Sequence, residues 1–469
     1  MKVLRFIIFF IWLVVMLALL KKEGILFFSQ PISYYDILGK KDPYREEYLG
    51  LYMNDKKIGF SKSYIDAWTL EDDRVGFRIS NETRAFVSSL DIPLSVNIVG
   101  DIYIDDKYKL DSFEWKISSG MYSIEAKGER KEEKIEVCIY SGGNLIKKES
   151  FDAYDFIPGG EIFPLFSLPS IKEGARYTIG SWDPFGILGK ERIVLKVHKA
   201  TTVTHNEELF DVYPIEVTYQ SIKANIYATK EGKILKAELP YGWVAIAEDK
   251  RKEREFKPEF PDISIIASIP SNVTIEEPRK IEYIKAKLND DIVEIKKEII
   301  PKNGKNFPIK EETEWLEENL FVQSNSKEIK EKACAIVGEE KDSLKVSILI
   351  MEWIYKNIRK KPSFSIPSAL EVLKNMSGDC NEHSVLFTAL TRSLGIPTKM
   401  VAGIAYQDGK FYYHNWCKVF IGEWVSIDPT FNQLPPDATH IPLIEGDIDK
   451  QIGLLGYVGD VKLEVFEYH

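Results

Sequence analysis

The stretch that most constrains the fold is residues 377–384, Ser-Gly-Asp-Cys-Asn-Glu-His-Ser, because it opens a strongly marked helix. The following residues, 385–394, are largely apolar, and Gly-Ile-Pro at 395–397 then supplies a typical helix stop. Asp379 is a good N-cap, and Glu382, three residues later, completes a capping-box pattern. Cys380 therefore falls at the first helical position, where unpaired backbone N–H groups and the helix dipole favour a thiolate.

A free cysteine is often only a small buried hydrophobe, but a second segment favours Cys380 as a nucleophile. Residues 412–430 predict a strand, a tight turn and a returning strand. Reflection about the turn brings His414 opposite residue 428 or 429, and opposed side chains of an antiparallel pair lie within contact range. His414 and the carboxylate of Asp428 then meet as the base and orienter that a thiol nucleophile needs. We expect Cys380 to lie beside His414, which would lower the pKa of the thiol.

Five motifs in order along the C-terminal third carry a family resemblance. They are Ser-Ala-Leu-Glu-Val-Leu at 368–373, Gly-Asp-Cys-Asn-Glu-His at 378–383, Gly-Ile-Pro-Thr at 395–398, Tyr-His-Asn-Trp at 413–416 and Trp-Val-Ser-Ile-Asp-Pro-Thr at 424–430. Together they resemble the transglutaminase-like superfamily. The resemblance implies a papain-like α+β core with a Cys–His–Asp triad, here Cys380, His414 and Asp428. The family includes protein cross-linking enzymes, peptidases, amidases and members that have lost activity.

A zinc site is the rival interpretation of the same region. Cys380-x-x-His383 and His414-x-x-Cys417 could be read as a Cys2His2 set. Residues three apart share a face on a helix, so the first pair is feasible. Residues three apart on a strand point to opposite faces, so His414 and Cys417 should diverge. The pattern therefore disfavours zinc, and no metal and no cofactor is predicted.

Composition excludes some classes of function. A length of 469 residues suggests two or three domains. The net charge of −10 and a pI near 5.4 argue against a nucleic-acid partner. Four cysteines spread over this length form no disulfide framework.

The N-terminus predicts membrane targeting. Lys2 and Arg5 precede an unbroken apolar run at 6–20, which Lys21 and Lys22 close, and no cleavage-site pattern follows. The sequence therefore favours an uncleaved transmembrane signal anchor over a cleaved signal peptide. The basic N-terminus favours the N-terminal end inside, which would make the body extracytoplasmic.

The order of patterns predicts four segments. Residues 1–22 form the signal anchor, and 44–250 show period-two alternation with hairpin turns, typical of an antiparallel β domain built as a sheet or barrel. Residues 258–310 read as a small β connector, and 311–469 as the transglutaminase-like domain. Within the last segment, Gly338 ends a predicted helix at 327–337. The fold class is thus α+β, an antiparallel β-rich N-terminal domain followed by a papain-like core.

The predicted function is that of a thiol enzyme of the cell envelope, a cysteine-dependent acyl transferase or hydrolase. Cys380 would form a thioester with a peptide or protein amide, and hydrolysis is favoured because nothing in the sequence marks a calcium site. A protein cross-linking transglutaminase and a non-catalytic envelope binding module are the alternatives. The expected partners are a peptide or protein substrate and the membrane, and the protein would be secreted if the N-terminal segment is cleaved.

Overall fold

The computed structural model describes most of the chain. The described residues are 30–39, 44–70, 73–89, 92–152, 157–158, 171–182, 190–219, 222–250, 256–262, 268–362, 368–451 and 461–469.

Strands account for most of the regular structure. They are β1 (Gln30–Pro31), β2 (Arg45–Met53), β3 (Lys56–Thr69), β4 (Val75–Ser89), β5 (Ile92–Ile104), β6 (Leu110–Ser119), β7 (Tyr122–Lys131), β8 (Lys134–Ser141), β9 (Asn144–Asp152), β10 (Ile157–Pro158), β11 (Arg176–Trp182), β12 (Lys190–Val197), β13 (Thr201–His205), β14 (Glu208–Tyr219), β15 (Ile222–Ala228), β16 (Ile234–Glu238), β17 (Trp243–Ala247), β18 (Ser268–Pro270), β19 (Tyr283–Leu288), β20 (Asp291–Lys296), β21 (Arg359–Lys360), β22 (Ser377–Gly378), β23 (Thr398–Gln407), β24 (Lys410–Phe420), β25 (Trp424–Ile427), β26 (Ile441–Glu445) and β27 (Leu463–Tyr468).

The helices lie mainly in the C-terminal third. They are α1 (Tyr34–Leu38), α2 (Lys327–Val337), α3 (Ser343–Asn357), α4 (Ala369–Asn375), α5 (Cys380–Ser393) and α6 (Ile448–Gln451). The helix predicted at 327–337 is confirmed with these bounds. Ser326 caps its start by accepting a hydrogen bond from the N–H of Ile329, and Gly338 stands at its end.

Strands β1–β17 form one large, mainly antiparallel sheet. Strand β17 pairs with β2, and hairpin follows hairpin from β2 to β9. Burial alternates along these strands, as in β8, where every second residue is buried. The predicted α+β class, with an antiparallel β-rich N-terminal region, is confirmed.

One apolar core continues from this sheet into the C-terminal region. Phe113 and Trp115 of the sheet belong to the same buried cluster as Ile350 of α3 and Phe387 of α5. The sheet and the helices therefore pack directly on each other. The contact between the sheet and the C-terminal region includes β22, the short strand that leads into α5.

Among the described residues, the C-terminal region has two smaller sheets of three or more strands, besides the short parallel pair of β21 and β22. Strands β18, β24, β23 and β26 form one of them, with β25 paired to the end of β24, and α5 packs on β23 and β24. Strands β20, β19 and β27 form the other, so the last strand of the chain pairs with the predicted connector. The domain boundaries themselves stay predictions.

The structure corrects the prediction of a transmembrane signal anchor. In the part of the chain that the structure describes, no helix combines the length and apolar character needed to cross a membrane. The apolar run at 6–20, and the whole predicted segment 1–22, lie outside the described residues.

Candidate active site

Helix α5 begins as the sequence predicts. The Asp379 side chain accepts a hydrogen bond from the N–H of Asn381, and the Glu382 carboxylate accepts one from the N–H of Asp379 at 2.8 Å. Gly378 is required for this capping box, because a Cβ there would lie 2.3 Å from the Glu382 side chain. Cys380 is the first residue of the helix and is half-buried.

The start of α5 is held against strand β24 at several points. The sulfur of Cys380 accepts a hydrogen bond from the N–H of Asn415, the residue that follows His414. One turn further along, Ser384 Oγ donates to the carbonyl of Asn415 at 3.1 Å, and Asn415 Nδ2 donates to Asn381 Oδ1 at 3.0 Å. These contacts place the Cys380 thiol next to the strand segment that carries His414.

The predicted hairpin forms with a different register. Cys417 pairs with Ile427. Continued to His414, this register places Thr430 opposite it, whereas the sequence predicted residue 428 or 429. Because β25 ends at Ile427, Asp428 belongs to the turn that follows and not to the strand. Its carboxylate nevertheless reaches His414, so the expected pair forms through the turn.

Asp428 binds His414 deep inside the protein. The Nε2 of His414 lies 2.8 Å from Asp428 Oδ2, and the two residues are 8% and 0% exposed. The second carboxylate oxygen, Oδ1, accepts from the backbone N–H of Thr430 at 2.6 Å and of Phe431 at 3.0 Å. Because both oxygens are bound, the carboxylate is fixed toward the imidazole.

A glycine and an aromatic ring also lie next to His414. On the neighbouring strand β23, Gly403 pairs with His414, and a Cβ on Gly403 would lie 2.3 Å from the carbonyl of Ile441. The ring of Phe431 is stacked on His414 at a centroid distance of 4.6 Å. Arg279 in turn lies over the Phe431 ring, 3.8 Å from its centroid.

A second imidazole, which the sequence analysis missed, shares the same carboxylate. His440 Nε2 lies 3.1 Å from Asp428 Oδ2, and its Nδ1 lies 3.1 Å from the carbonyl oxygen of Asp437. His440 is 4% exposed and Asp437 is 1% exposed. The spacing Asp-x-x-His at 437–440, just after the predicted orienter, was the available signal.

Burial controls the ionisation of the thiol and of His414. Desolvation raises the pKa of Cys380 well above its ordinary value, and the carboxylate of Asp379 raises it further. Burial also lowers the pKa of His414, although Asp428 acts in the opposite direction. The expectation of a lowered thiol pKa was therefore wrong, because burial and the nearby carboxylates outweigh the hydrogen bond from the N–H of Asn415, which lowers the pKa. The resting pair is a neutral thiol and a neutral imidazole.

The carboxylates of Asp428 and Asp437 and the imidazole of His440 are charged. Burial alone would raise the pKa of Asp428, but His414 and His440 hold that pKa well below its usual range. Burial lowers the pKa of His440, but its bonds to Asp428 and Asp437 outweigh this and raise the pKa to about 9. His440 is therefore an imidazolium at neutral pH.

One comparison with known protein families covers the region of the candidate active site. Residues 330–429 match the family model of the transglutaminase-like superfamily. Residues 330–429, within the C-terminal third, are thus a transglutaminase-like region. The matched segment contains all three residues of the predicted triad. No curated protein matches the chain significantly.

Solved structures give weak likenesses. A candidate cysteine protease from Cytophaga hutchinsonii is 14% identical with a TM-score of 0.28, over 65% of this chain and 81% of that chain. A candidate protease from Parabacteroides distasonis is 10% identical with a TM-score of 0.21, over 81% and 69%. A β-barrel-like protein of unknown function from Brucella abortus is 10% identical with a TM-score of 0.33, over 44% and 96%. TM-scores this low carry no argument.

The transglutaminase-like domain does not gather the four donors of the zinc alternative. That alternative needs Cys380, His383, His414 and Cys417. In the described structure, His383 Nδ1 lies 2.6 Å from the carbonyl oxygen of Asp379. The Cys417 thiol is buried and donates to the carbonyl oxygen of Ser384 at 3.5 Å. Among the described residues, no cluster of three or more potential metal ligands includes Cys380, His383 or Cys417.

Another trio has the spacing of a metal site. Among the described residues, His414, Asp428 and His440 bring ring nitrogens and a carboxylate oxygen within 4.8 Å of one another. However, both ring nitrogens of His440 face oxygen acceptors and therefore carry protons. Because a metal needs a deprotonated nitrogen, we interpret the trio as a hydrogen-bond network.

The large β sheet contacts the segment just before Cys380. Tyr122 at the start of β7 donates its hydroxyl proton to the carbonyl of Ser377. Ser141 at the end of β8 donates to the carboxylate of Glu371 in α4, and the N–H of Ser123 donates to the same carboxylate at 3.1 Å. The sheet thus supports the strand that leads into the transglutaminase-like helix α5.

Proposed function

We propose that this protein is a cysteine-dependent hydrolase of peptide or protein amide bonds. Cys380 is the nucleophile, His414 the general base and Asp428 the orienter of His414. One arrangement supports the proposal. The Cys380 sulfur accepts the N–H of the residue after His414, while the buried Asp428 binds the imidazole Nε2 at 2.8 Å.

The hydrogen bonds assign the roles of the ring nitrogens. Because the carboxylate can only accept, His414 Nε2 carries a proton, which leaves the lone pair of Nδ1 to take the proton of Cys380. The sulfur then bonds to the amide carbonyl carbon, and the carbonyl electrons move to the oxygen. The N–H of Cys380, at the first position of α5, is a donor for that oxyanion.

The second half of the reaction regenerates the thiol. The tetrahedral carbon expels the amine, which takes the proton from His414 Nδ1, and a thioester remains on Cys380. Water then loses a proton to His414 and attacks the thioester, and the sulfur leaves as the thiol. A lysine amine in place of that water would give cross-linking instead of hydrolysis.

The neutral resting pair fits this sequence of steps. A thiol of raised pKa and an imidazole of lowered pKa exchange the proton only as the carbon–sulfur bond forms. In the first half of the reaction, His414 is then cationic only after it has taken the thiol proton and before it gives that proton to the leaving amine. Asp428 stabilises that cation. Where the enzyme works in the cell stays a prediction.

The test is an acyl adduct on Cys380. The full-length protein is incubated with a library of peptide amides and esters, quenched in acid and examined by intact and peptide mass spectrometry. We expect a thioester mass on the peptide containing Cys380, absent in Cys380→Ala and retained in Cys334→Ser. Cys334 is the matched control because it is an exposed thiol on α2, outside the candidate active site.

Two outcomes would contradict the proposal. Adducts that form equally in Cys380→Ala would exclude the nucleophile. A product joined to an added primary amine, at amine concentrations far below that of water, would favour the cross-linking alternative. Release of the free acid with return of the thiol supports hydrolysis.

A further inference from the structure

The carboxylate of Asp428 serves two imidazoles rather than one. His414 and His440 both direct Nε2 at Oδ2, at 2.8 and 3.1 Å. Their ring centroids lie 5.5 Å apart, with the planes inclined by 68°. The orienter proposed for His414 is therefore shared with a residue to which the proposed chemistry assigns no role.

His440 is held from both sides. Its Nδ1 lies 3.1 Å from the Asp437 carbonyl oxygen and 3.4 Å from Asp437 Oδ1. That carboxylate is itself fixed, because Oδ1 accepts from the N–H of Thr439 at 2.9 Å and Oδ2 accepts from Arg279 at 3.0 Å. Both ring nitrogens face oxygen acceptors, which is the geometry of a doubly protonated ring.

The four permanent charges of this network cancel. Asp428 and Asp437 each contribute one negative charge, and His440 and Arg279 each contribute one positive charge. The two aspartates and His440 are almost fully buried, with exposures of 0%, 1% and 4%. A buried pair of carboxylates without the two cations would carry a large desolvation cost. Neutral His414 adds nothing to this balance, whereas protonated His414 would disturb it.

We propose that His440 is a positioning residue of the candidate active site. As a fixed imidazolium between Asp428 and Asp437, it aims the Asp428 carboxylate at His414 and keeps His414 unprotonated until the thiol gives up its proton. The inference rests on the proposed function for its catalytic meaning, but the charge arrangement stands without it.

The physical reason is a balance of opposite influences on one ring. Asp428 alone would stabilise the His414 imidazolium and weaken His414 as a base. Burial is the largest influence that opposes protonation of His414 and lowers its pKa, and the positive charges of His440 and Arg279 act in the same direction. His414 therefore keeps its orientation from the carboxylate without being trapped as a cation.

Other titratable groups near Asp428 belong to the same electrostatic environment. Lys360, Cys380 and His383 each interact electrostatically with the Asp428 carboxylate. Lys360 is exposed on β21, whereas His383 is buried on α5. None of the three is hydrogen-bonded to Asp428 in the described contacts, so His440 is the partner whose removal changes the orienter directly.

Imidazole NMR tests the inference without any substrate. The chain has six histidines, so full-length protein labelled at histidine 13Cε1 gives six signals, assigned by single His→Gln replacement. In the wild type we expect His440 to be doubly protonated at pH 7 and His414 to be neutral. In His440→Gln, the titration midpoint of His414 should move to higher pH, because a neighbouring cation has been removed.

Two further variants keep the test decisive. Asp437→Asn removes one carboxylate from His440, so the His440 midpoint should fall while the ring remains present. His198→Gln is the matched control, because His198 is partly exposed and paired with Glu216 on the large sheet. It should leave both signals unchanged. A singly protonated His440 at pH 7 in the wild type overturns the inference even if His440→Gln does not fold.

Kinetics then separate a positioning role from a merely structural one. If the proposed hydrolase activity is found, the acid limb of the kcat/KM profile should move to higher pH in His440→Gln, with a larger loss at pH 6 than at pH 8. An equal loss at all pH values would assign His440 a structural role and overturn the inference. Failure to find the hydrolase leaves the NMR outcomes to decide the charge arrangement by themselves.

Discussion

The ring of Phe431 lies parallel to the imidazole of His414, with centroids 4.6 Å apart and planes inclined by 17°. Phe431 also donates its backbone N–H to Asp428 Oδ1 at 3.0 Å. One residue therefore touches both members of the proposed base–orienter pair, through its ring and through its backbone. A substitution that keeps the backbone N–H, such as leucine, removes the ring contact alone.

Phe431→Leu should reduce turnover without unfolding the protein. Loss of the flat surface frees the imidazole to rotate, and small errors in placement are costly to a general base. We expect kcat to fall by about tenfold with a smaller change in KM. The matched control is Phe420→Leu, because Phe420 packs on Trp424 at the other end of the hairpin. Equal kcat values for Phe431→Leu and the wild type would show that the stacking does not orient His414.

Alkylation of Cys380 should rise only at alkaline pH. Burial and nearby carboxylates raise the pKa of this thiol, so little thiolate exists at pH 6 to 7. Mass spectrometry of iodoacetamide labelling should give a midpoint for Cys380 above that of the same peptide in urea. Cys417 should label last, because burial raises its pKa to about 12. Labelling of Cys380 that is faster at pH 6 in folded than in unfolded protein would contradict this expectation.

The sequence predicts those parts of the site that depend on local geometry. The capping box of α5 involves only residues 379–382, and its pattern is visible in the sequence. The pairing of His414 with Asp428 was also predictable, because fourteen residues and one turn separate them. The predicted register was nevertheless displaced, since β25 ends at Ile427 and the carboxylate arrives from the following turn.

Contacts between distant segments could not be predicted from one sequence. Arg279 reaches Asp437 across 158 residues, and Tyr122 reaches Ser377 across 255. Both contacts depend on how segments far apart in the sequence pack together, which local patterns do not specify. The effect of burial on the Cys380 pKa was missed for the same reason, because its surroundings come from several segments.

Removal of one partner from the ion pair between Arg392 and Asp447 should destabilise the protein. Arg392 binds both oxygens of Asp447, at 2.9 and 2.8 Å, and donates to the carbonyl of Thr398. Arg392→Met leaves the partly buried Asp447 carboxylate without a cation, with Asn319 Nδ2 as a remaining donor at 2.6 Å, so the free energy of unfolding should fall by about 3 kcal/mol in urea denaturation. Lys356→Met, which breaks the exposed pair with Glu352 on α3, is the control. It should cost less than about 0.5 kcal/mol, and similar losses for both variants would contradict the argument.

The contact between the large sheet and α4 gives a pH-dependent prediction. Burial raises the pKa of Glu371, although its hydrogen bonds with Ser141 and Ser123 oppose the shift. The folded state therefore binds the Glu371 proton more tightly than the unfolded state. Stability from this group is present below its unfolded pKa and declines as pH rises toward the folded pKa.

Glu371→Gln should remove that decline while preserving hydrogen bonding. In urea denaturation of the full-length protein, the variant should gain stability relative to the wild type between pH 4 and pH 7.5. Glu371→Ala should instead lose about 1–3 kcal/mol at both pH values, because the N–H of Ser123 and the hydroxyl of Ser141 lose their acceptor. Identical pH profiles for Glu371→Gln and the wild type would show that the carboxyl titrates normally. Since α4 leads directly to Cys380, the Cys380 alkylation rate should also change in Glu371→Ala and stay near the wild-type value in Glu371→Gln.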